Sequence, residues 1–239
     1  MADAYVPDIM ESNDAIAGFA PRLPAASELW YYLRLSLPVN ALFFSVYGLC
    51  NWLTAARTQR YRLYFDSELE IPFVPGMIFG YFSLLVLFCL PIFLVPARDW
   101  PVLAKRMTLG ILTAAVGYLL LPAQLGFERQ PSVPGYEWIY SLVYHIDLPH
   151  NLVPSLHIVF SSLTVLALWR HAAGWGRAAY IAWLGLICVS VVLVHQHHVA
   201  DVLTGLMLAA LCARLVPHGA RRGMALSSDS QYARTGGKS

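Results

Sequence analysis

Six blocks of apolar residues, at about 35–53, 74–95, 107–125, 155–169, 178–194 and 199–215, take up most of the chain. Each approaches the roughly 20 residues that a helix needs to cross some 30 Å of hydrocarbon. The last three are shorter, and reach that span by drawing flanking polar residues into the interface. Only 13% of the 239 residues are charged and 58% are apolar, too little charge to clothe a water-facing surface when a soluble domain carries about 25%. The expected architecture is all-α, a polytopic membrane six-helix bundle. Pro38 and Pro91 fall within or near helices, where packed neighbours tolerate a kink. The bundle is expected over 29–217, between a cytoplasmic amino-terminal segment, 1–28, and a disordered cytoplasmic tail, 218–239, rich in Ser, Gly and Arg. The first segment carries Asp3, Asp8, Glu11 and Asp14 without a basic region leading into an apolar stretch, so no cleavable signal is expected. Cys50, Cys89, Cys188 and Cys212 sit inside apolar blocks without paired spacing, which suits packing rather than disulfides or a zinc ribbon.

The 16 Lys and Arg are distributed unevenly among the loops that six crossings would create. On the side of the termini lie Arg22, Arg34, Arg98, Lys105, Arg106, Arg170, Arg177, Arg214, Arg221, Arg222, Arg234 and Lys238; the other side has only Arg57, Arg60, Arg62 and Arg129. Cytoplasmic loops hold the excess of cations, so the termini are expected to be cytoplasmic. The loops at 54–73, 126–154 and 195–198 would face the periplasm or exterior of a bacterial-type inner membrane. Because the cations follow this rule rather than forming a stripe with aromatics, nucleic acid is not an expected partner.

Three stretches on the outward side are unusually polar: Phe127-Glu128-Arg129-Gln130-Pro131, Pro154-Ser155-Leu156-His157 and His195-Gln196-His197-His198-Val199-Ala200-Asp201. Ionisable groups at membrane depth are costly, so several on one face point to a functional site. His197 and Asp201 are four apart, which on a helix sets them on one face; the carboxylate can then hold one ring nitrogen and leave the other free as a nucleophile. Ser155 reads as a helix N-cap with His157 in the first turn, where free N–H groups and the positive dipole end favour an anion. Arg129 supplies a planar cation suited to phosphate, and His157 a proton for a departing oxygen. Plainer readings exist for each: an Arg at the interface, a Ser that only caps, a solvated His, an ordinary His–Asp pair. The plain reading is preferred for His145, His150, His171 and His218.

Taken together these residues resemble the type 2 phosphatidic acid phosphatase superfamily of membrane phosphatases and phosphotransferases. Pro154-Ser155-Leu156-His157 matches its P-S-x-H motif, and His197 with Asp201 matches the H-x-x-x-D end of its third motif. The stretch from Tyr118 to Pro131 is similar to the first-motif region, with Arg129 and Pro131 in place of its Arg-Pro. The resemblance covers roughly 118–215. It implies that His197 attacks phosphorus, that Asp201 orients it, that His157 is the general acid, and that Arg129 and Ser155 bind the phosphoryl oxygens. A phosphohistidine forms, with no metal and no cofactor. The substrate it implies is a membrane lipid phosphate, with an alcohol or lipid as acceptor.

Two of the family's cations are absent. Pro122 stands where the first motif has Lys, Gln130 is inserted between Arg129 and Pro131, and Ser190-Val191 replaces the Ser-Arg that opens the third motif. A reduced cation set of this kind is similar to the branch with inositol phosphorylceramide and sphingomyelin synthases, which move a phosphorylated headgroup between lipids. His195 or His198, if protonated, would be auxiliary cations. Two alternatives of other classes remain: a metal-dependent membrane hydrolase or oxygenase using His157, His195, His197, His198 and Asp201 as ligands, and a non-catalytic membrane binding protein. The orientation is tested with single cysteines read by an impermeant thiol reagent on intact cells. Sites near Arg60 and Gly135 should label and one near Lys105 should not; the reverse pattern would overturn the orientation.

Overall fold

All six apolar blocks are helical in the computed structural model, which describes residues 23–218. The expectations for the amino-terminal segment up to residue 22 and for the tail from residue 219 lie outside the described residues. The helices are α1 (Ala26–Ala55), α2 (Ile78–Cys89), α3 (Pro91–Leu94), α4 (Trp100–Leu120), α5 (Glu137–Ile146), α6 (Leu156–His171), α7 (Trp175–Leu193) and α8 (Val199–Leu215). Among the described residues there is no strand, only an isolated bridge between Tyr61 and Ala123. The second apolar block divides at Pro91, whose missing N–H removes one rung of the ladder. The ladder resumes at once, with Leu94 N–H bonded to Leu90 C=O and Val95 N–H to Pro91 C=O. Helix α5 lies outside the six blocks, in the long outward loop.

By length and composition three helical stretches can cross a membrane: Ala26–Ala55, Ala97–Leu120 and Trp175–Leu193. Helices α6 and α8 have 16 and 17 residues, or about 24 to 26 Å at 1.5 Å per residue. The two differ in what surrounds them. Leu156, Ile158, Val159, Leu163, Val165 and Leu168 of α6 are all buried, because α2, α3, α4, α7 and α8 all pack around it. The outer helices instead expose apolar side chains, among them Phe44 on α1, Phe79 on α2, Val116 on α4, Ile181 on α7 and Met207 on α8. Such a surface is costly in water and ordinary in lipid, so the protein is membrane-associated.

Polar contacts fasten the two ends of the bundle. At the end holding the α3–α4 and α6–α7 connections, His171 Nε2 is 2.7 Å from Asp99 Oδ2. There, too, the buried Arg106 of α4 donates to the C=O groups of Val216 and Ala213, satisfying carbonyls that the end of α8 leaves without helical partners. His218 adds a bond to the same Arg106 at 3.0 Å. His171 and His218, expected to be merely solvated, are therefore tied into the fold.

The opposite end depends on a close helix approach. Gly205 of α8 faces the first turn of α6, where a Cβ would lie 2.9 Å from both Ile158 Cβ and Ser155 O. Lacking a side chain, Gly205 lets the two backbones meet, as small residues do between membrane helices. Gly205→Ala should therefore push α8 away from Ser155 and cost roughly 1–3 kcal/mol, read as a lower unfolding temperature in detergent. Gly185→Ala, which meets nothing within 4 Å, is the control. Equal unfolding temperatures for the two variants would show that the α6–α8 approach is slack.

Candidate active site

Helix α7 ends at Leu193, and the next residues reverse the chain through His195, whose φ of 58° lies in the left-handed region. A non-glycine residue seldom stands there unless its surroundings hold it. The His195 ring does so: its Nε2 is 3.0 Å from Ile71 C=O and it stacks on Phe127 at 3.9 Å. The reversal brings the N–H groups of Gln196 and His197 onto one carbonyl, that of Val191, each at 3.1 Å. His198 is the N-cap of α8 and Asp201 is its third helical residue.

His197 therefore precedes the helix that carries Asp201, which corrects the expectation that both share a helix face. Their pairing comes from capping. Asp201 Oδ2 accepts from the backbone N–H of His198 at 2.9 Å and stands 3.1 Å from His197 Nδ1. A carboxylate so fixed accepts a hydrogen bond from Nδ1–H and leaves Nε2 with its lone pair. Nε2 faces the Nδ1 of His157, 3.2 Å away, in the first turn of α6. The sequence stretches around 157 and 197–201 are thus brought together as expected.

Ser155 is the N-cap residue of α6, but its Oγ caps nothing; fully buried, it has no hydrogen-bond partner among the described residues. Its backbone N–H instead donates to Asp201 C=O at 3.1 Å, which joins α6 to α8. Arg129 lies over the Tyr144 ring at 4.8 Å and donates to Tyr144 C=O, Asp147 C=O and Gln196 Oε1. Its buried Nε has no partner among the described residues. Beside it is a cavity of about 460 Å³, lined by Gln130, Pro131, Ser132, Tyr140, Tyr144 and His145 among others.

His195 and His198 are spent on the fold. Gly126 N–H donates to His198 Nε2 at 3.0 Å, His198 Nδ1 is 3.3 Å from Glu68 Oε2, and the ring is sandwiched between Phe127 and Tyr64. Burial pushes both imidazoles below their ordinary value, which works against the auxiliary charge that the missing Lys and Arg would call for. Pro122 and the buried Val191 contribute backbone carbonyls alone, to Tyr61 and to Gln196 with His197.

Two acidic residues not singled out in the sequence hold this end together. Glu68 accepts from Val199 N–H at 2.8 Å and Phe65 N–H at 3.0 Å, anchoring the first turn of α8. Burial works against its charge, but those N–H groups and the His198 ring outweigh it and keep the carboxyl below its usual value. Asp147, just past α5, accepts from the hydroxyls of Tyr47 on α1 and Tyr81 on α2. Tyr81 is also 3.0 Å from His157 Nε2, and Asp147 Oδ2 is 4.0 Å from that same nitrogen. One signal was available: Asp147 is the only acidic residue between Glu137 and Asp201.

Asp147, His157 and His197 each place a potential ligand atom within 4.8 Å of the others. Hydrogen bonds among these groups and to Tyr81 account for their positions, which suits a proton relay. The larger ligand set expected of a metal enzyme does not form, since His195 and His198 turn to Ile71, Gly126 and Glu68. Comparison with protein-family models, curated proteins and solved structures finds no match.

His195 and His198 give a pH signature. Their folded values are lowered by burial, so the unfolded chain binds more protons, and stability is lost as pH falls below about 6.5. Glu68, also lowered, adds to the loss as pH falls below about 4.5. The unfolding temperature in detergent should be lower at pH 5 than at pH 7.5, and Glu68→Gln should flatten the decline at the acid end. An unfolding temperature that does not change from pH 7.5 to pH 5 would show that burial leaves the two rings at their ordinary value.

Proposed function

We propose that this chain is an integral membrane enzyme that cleaves or transfers lipid phosphate esters through a phosphohistidine. Six helices cross the bilayer in this reading: α1, the α2–α3 pair, α4, α6, α7 and α8. The site then lies at the periplasmic or exterior face of a bacterial-type inner membrane, with the termini cytoplasmic. The observation that carries the proposal is the line Asp201–His197–His157, at 3.1 and 3.2 Å, with unpartnered polar atoms on Ser155 and Arg129 at the same end of the bundle. It agrees with the motif resemblance to the type 2 phosphatidic acid phosphatase superfamily.

In the first step the His197 Nε2 lone pair forms a bond to phosphorus while the bond to the leaving oxygen breaks. That oxygen takes the proton from His157 Nδ1. In the second step water or an alcohol gives its proton to His157 as its oxygen bonds to phosphorus and the phosphorus–nitrogen bond breaks. The imidazoles touch before substrate arrives, so a phosphate ester must part them to react. Asp201 keeps the attacking tautomer by holding the opposite ring nitrogen, while Arg129 and the start of α6 stabilise the phosphoryl oxygens.

Arg129 has to supply most of the positive charge, as Pro122 and Val191 supply none. A monoester dianion needs more cations than a diester monoanion, and each lost charge-assisted contact costs about 2–4 kcal/mol in the transition state by analogy with an oxyanion donor. The reading therefore favours phosphodiester and transfer chemistry over hydrolysis of simple monoesters. Purified enzyme is given phosphatidic acid or a phosphodiester lipid, with and without diacylglycerol, ceramide or inositol, and both free phosphate and new lipids are followed. His197→Ala should abolish the phosphoenzyme, and His157→Ala should slow poor leaving groups by about 10²–10⁴-fold. Full activity in His197→Ala would overturn the mechanism. Rapid phosphate release from phosphatidic acid, whatever the acceptor, would overturn the preference for transfer.

A further inference from the structure

The histidine assigned to attack has a carboxylate of its own, Asp201. A second carboxylate stands behind the other histidine, one hydroxyl removed, and the proposed chemistry has not used it. Asp147 receives the Tyr47 hydroxyl on one oxygen and the Tyr81 hydroxyl, at 3.2 Å, on the other. Tyr81 in turn stands 3.0 Å from His157 Nε2. We propose that Asp147, acting through the Tyr81 hydroxyl, is the positioning residue that keeps a proton on His157 Nε2 and so reserves Nδ1 for exchange with substrate. The proposal deepens the phosphohistidine reading and rests on it.

The argument is a count of protons. A tyrosine hydroxyl has one to give. If Tyr81 gives its proton to the Asp147 carboxylate, its oxygen is left to accept, and His157 Nε2 must be the donor. The ring then offers Nδ1 to the site, the nitrogen that already faces His197. Loss of the Nδ1 proton to a leaving oxygen leaves Nε2–H, the Tyr81 bond and the Asp147 bond unchanged. Nδ1 is then a base, ready to take a proton from the incoming water or alcohol. His197 is held in the same way with its nitrogens exchanged, Nδ1 toward Asp201 and Nε2 toward phosphorus.

The charges agree with this. Asp147 and Asp201 bring two negative charges, Arg129 one positive, and a single proton shared between the two imidazoles supplies the other. Arg129 donates to the backbone carbonyl of Asp147, not to its carboxylate, so the carboxylate remains free for Tyr47 and Tyr81. On the α4 side, Tyr118 directs its hydroxyl to Pro154 C=O, away from the ring. Tyr144 of α5 stacks under Arg129. Asp147 is thus the carboxylate nearest His157. The geometry also gives α1 and α2 a part in the chemistry.

A residue that only ties α1 and α2 to the loop would affect all substrates alike, and the test exploits this. Full-length Asp147→Asn, Tyr81→Phe and Tyr47→Phe in detergent micelles are compared with wild type over a range of pH. The probes are a 4-nitrophenyl phosphodiester, whose leaving group needs no proton, and its alkyl counterpart, whose leaving group does. Asp147→Asn and Tyr81→Phe should slow the alkyl ester about 10- to 100-fold more than the aryl ester, and should move the alkaline limb of the alkyl pH profile down by about one unit. Tyr47→Phe, which never touches His157, should leave the limb where it is. Equal losses on both esters with an unmoved limb, in Tyr81→Phe or in a folded Asp147→Asn, would overturn the proposal. Phosphoenzyme trapping on His197→Ala keeps the two levels apart: if that variant still forms the covalent intermediate, the phosphohistidine reading itself fails, whereas an inactive His197→Ala beside an unmoved limb rejects the role of Asp147 alone.

Discussion

One carboxylate oxygen, Oδ2 of Asp201, is shared between the His197 ring and the backbone N–H of His198. The second bond places the carboxylate at the amino end of α8, where N–H groups lack helical partners and a negative charge is favoured. The first uses that fixed anion to orient a side chain outside the helix. The main-chain carbonyl of the same residue accepts from Ser155, so the start of α6 is held to α8 and His157 is brought opposite His197. Capping, helix contact and the proposed chemistry all depend on Asp201, which is almost wholly buried. Gly205, one turn further along α8, permits the approach.

A helical protein in lipid has no water within the bilayer to satisfy polar groups, so these must pair with one another. Here they gather at the two ends of the bundle, and the longest chain of them is at the end where α6 and α8 begin. Outward faces of α1, α2, α4, α7 and α8 are apolar, while Tyr47, Tyr81, Asp147, His157, His197 and Asp201 form a continuous hydrogen-bonded line inside. Aromatic rings surround the line: Phe127 and Tyr64 enclose His198, and Tyr144 lies under Arg129. The rings that stack on His195 and His198 limit the freedom of the 195–198 turn.

The atoms left without partners are as informative as those with them. A buried polar atom lacking a hydrogen bond costs about 1–3 kcal/mol, and most buried polar groups avoid that cost. Ser155 Oγ and Arg129 Nε both bear it at the end of the bundle where His157 meets His197. An anion bonded to both would relieve it. Those are the two side chains to which the motif resemblance assigns the phosphoryl oxygens.

Much of this was legible in the linear pattern. The six apolar blocks marked the helices because burial in lipid leaves a long contiguous signal, and the Pro-Ser-Leu-His and His-x-x-x-Asp stretches marked the two histidines that meet, His157 and His197, because their spacing is local. What the sequence could not give was decided by contacts between distant residues. His197 is held from in front of a helix rather than on it, since the backbone reversal at His195 is stabilised by Phe127 and Ile71, more than sixty residues away in each case. His195 and His198, plausible cations in the sequence, are packed into the fold by Glu68, Tyr64, Gly126 and Phe127, and burial works against their charge. Asp147 carries no local motif and acquires its partners only when α1 and α2 bring Tyr47 and Tyr81 to it. The sequence alone determined where helices form and which ionisable groups are at hand, because those follow from short-range periodicity and residue chemistry; the tertiary structure decided which partner each histidine nitrogen meets, because those partners come from distant parts of the chain.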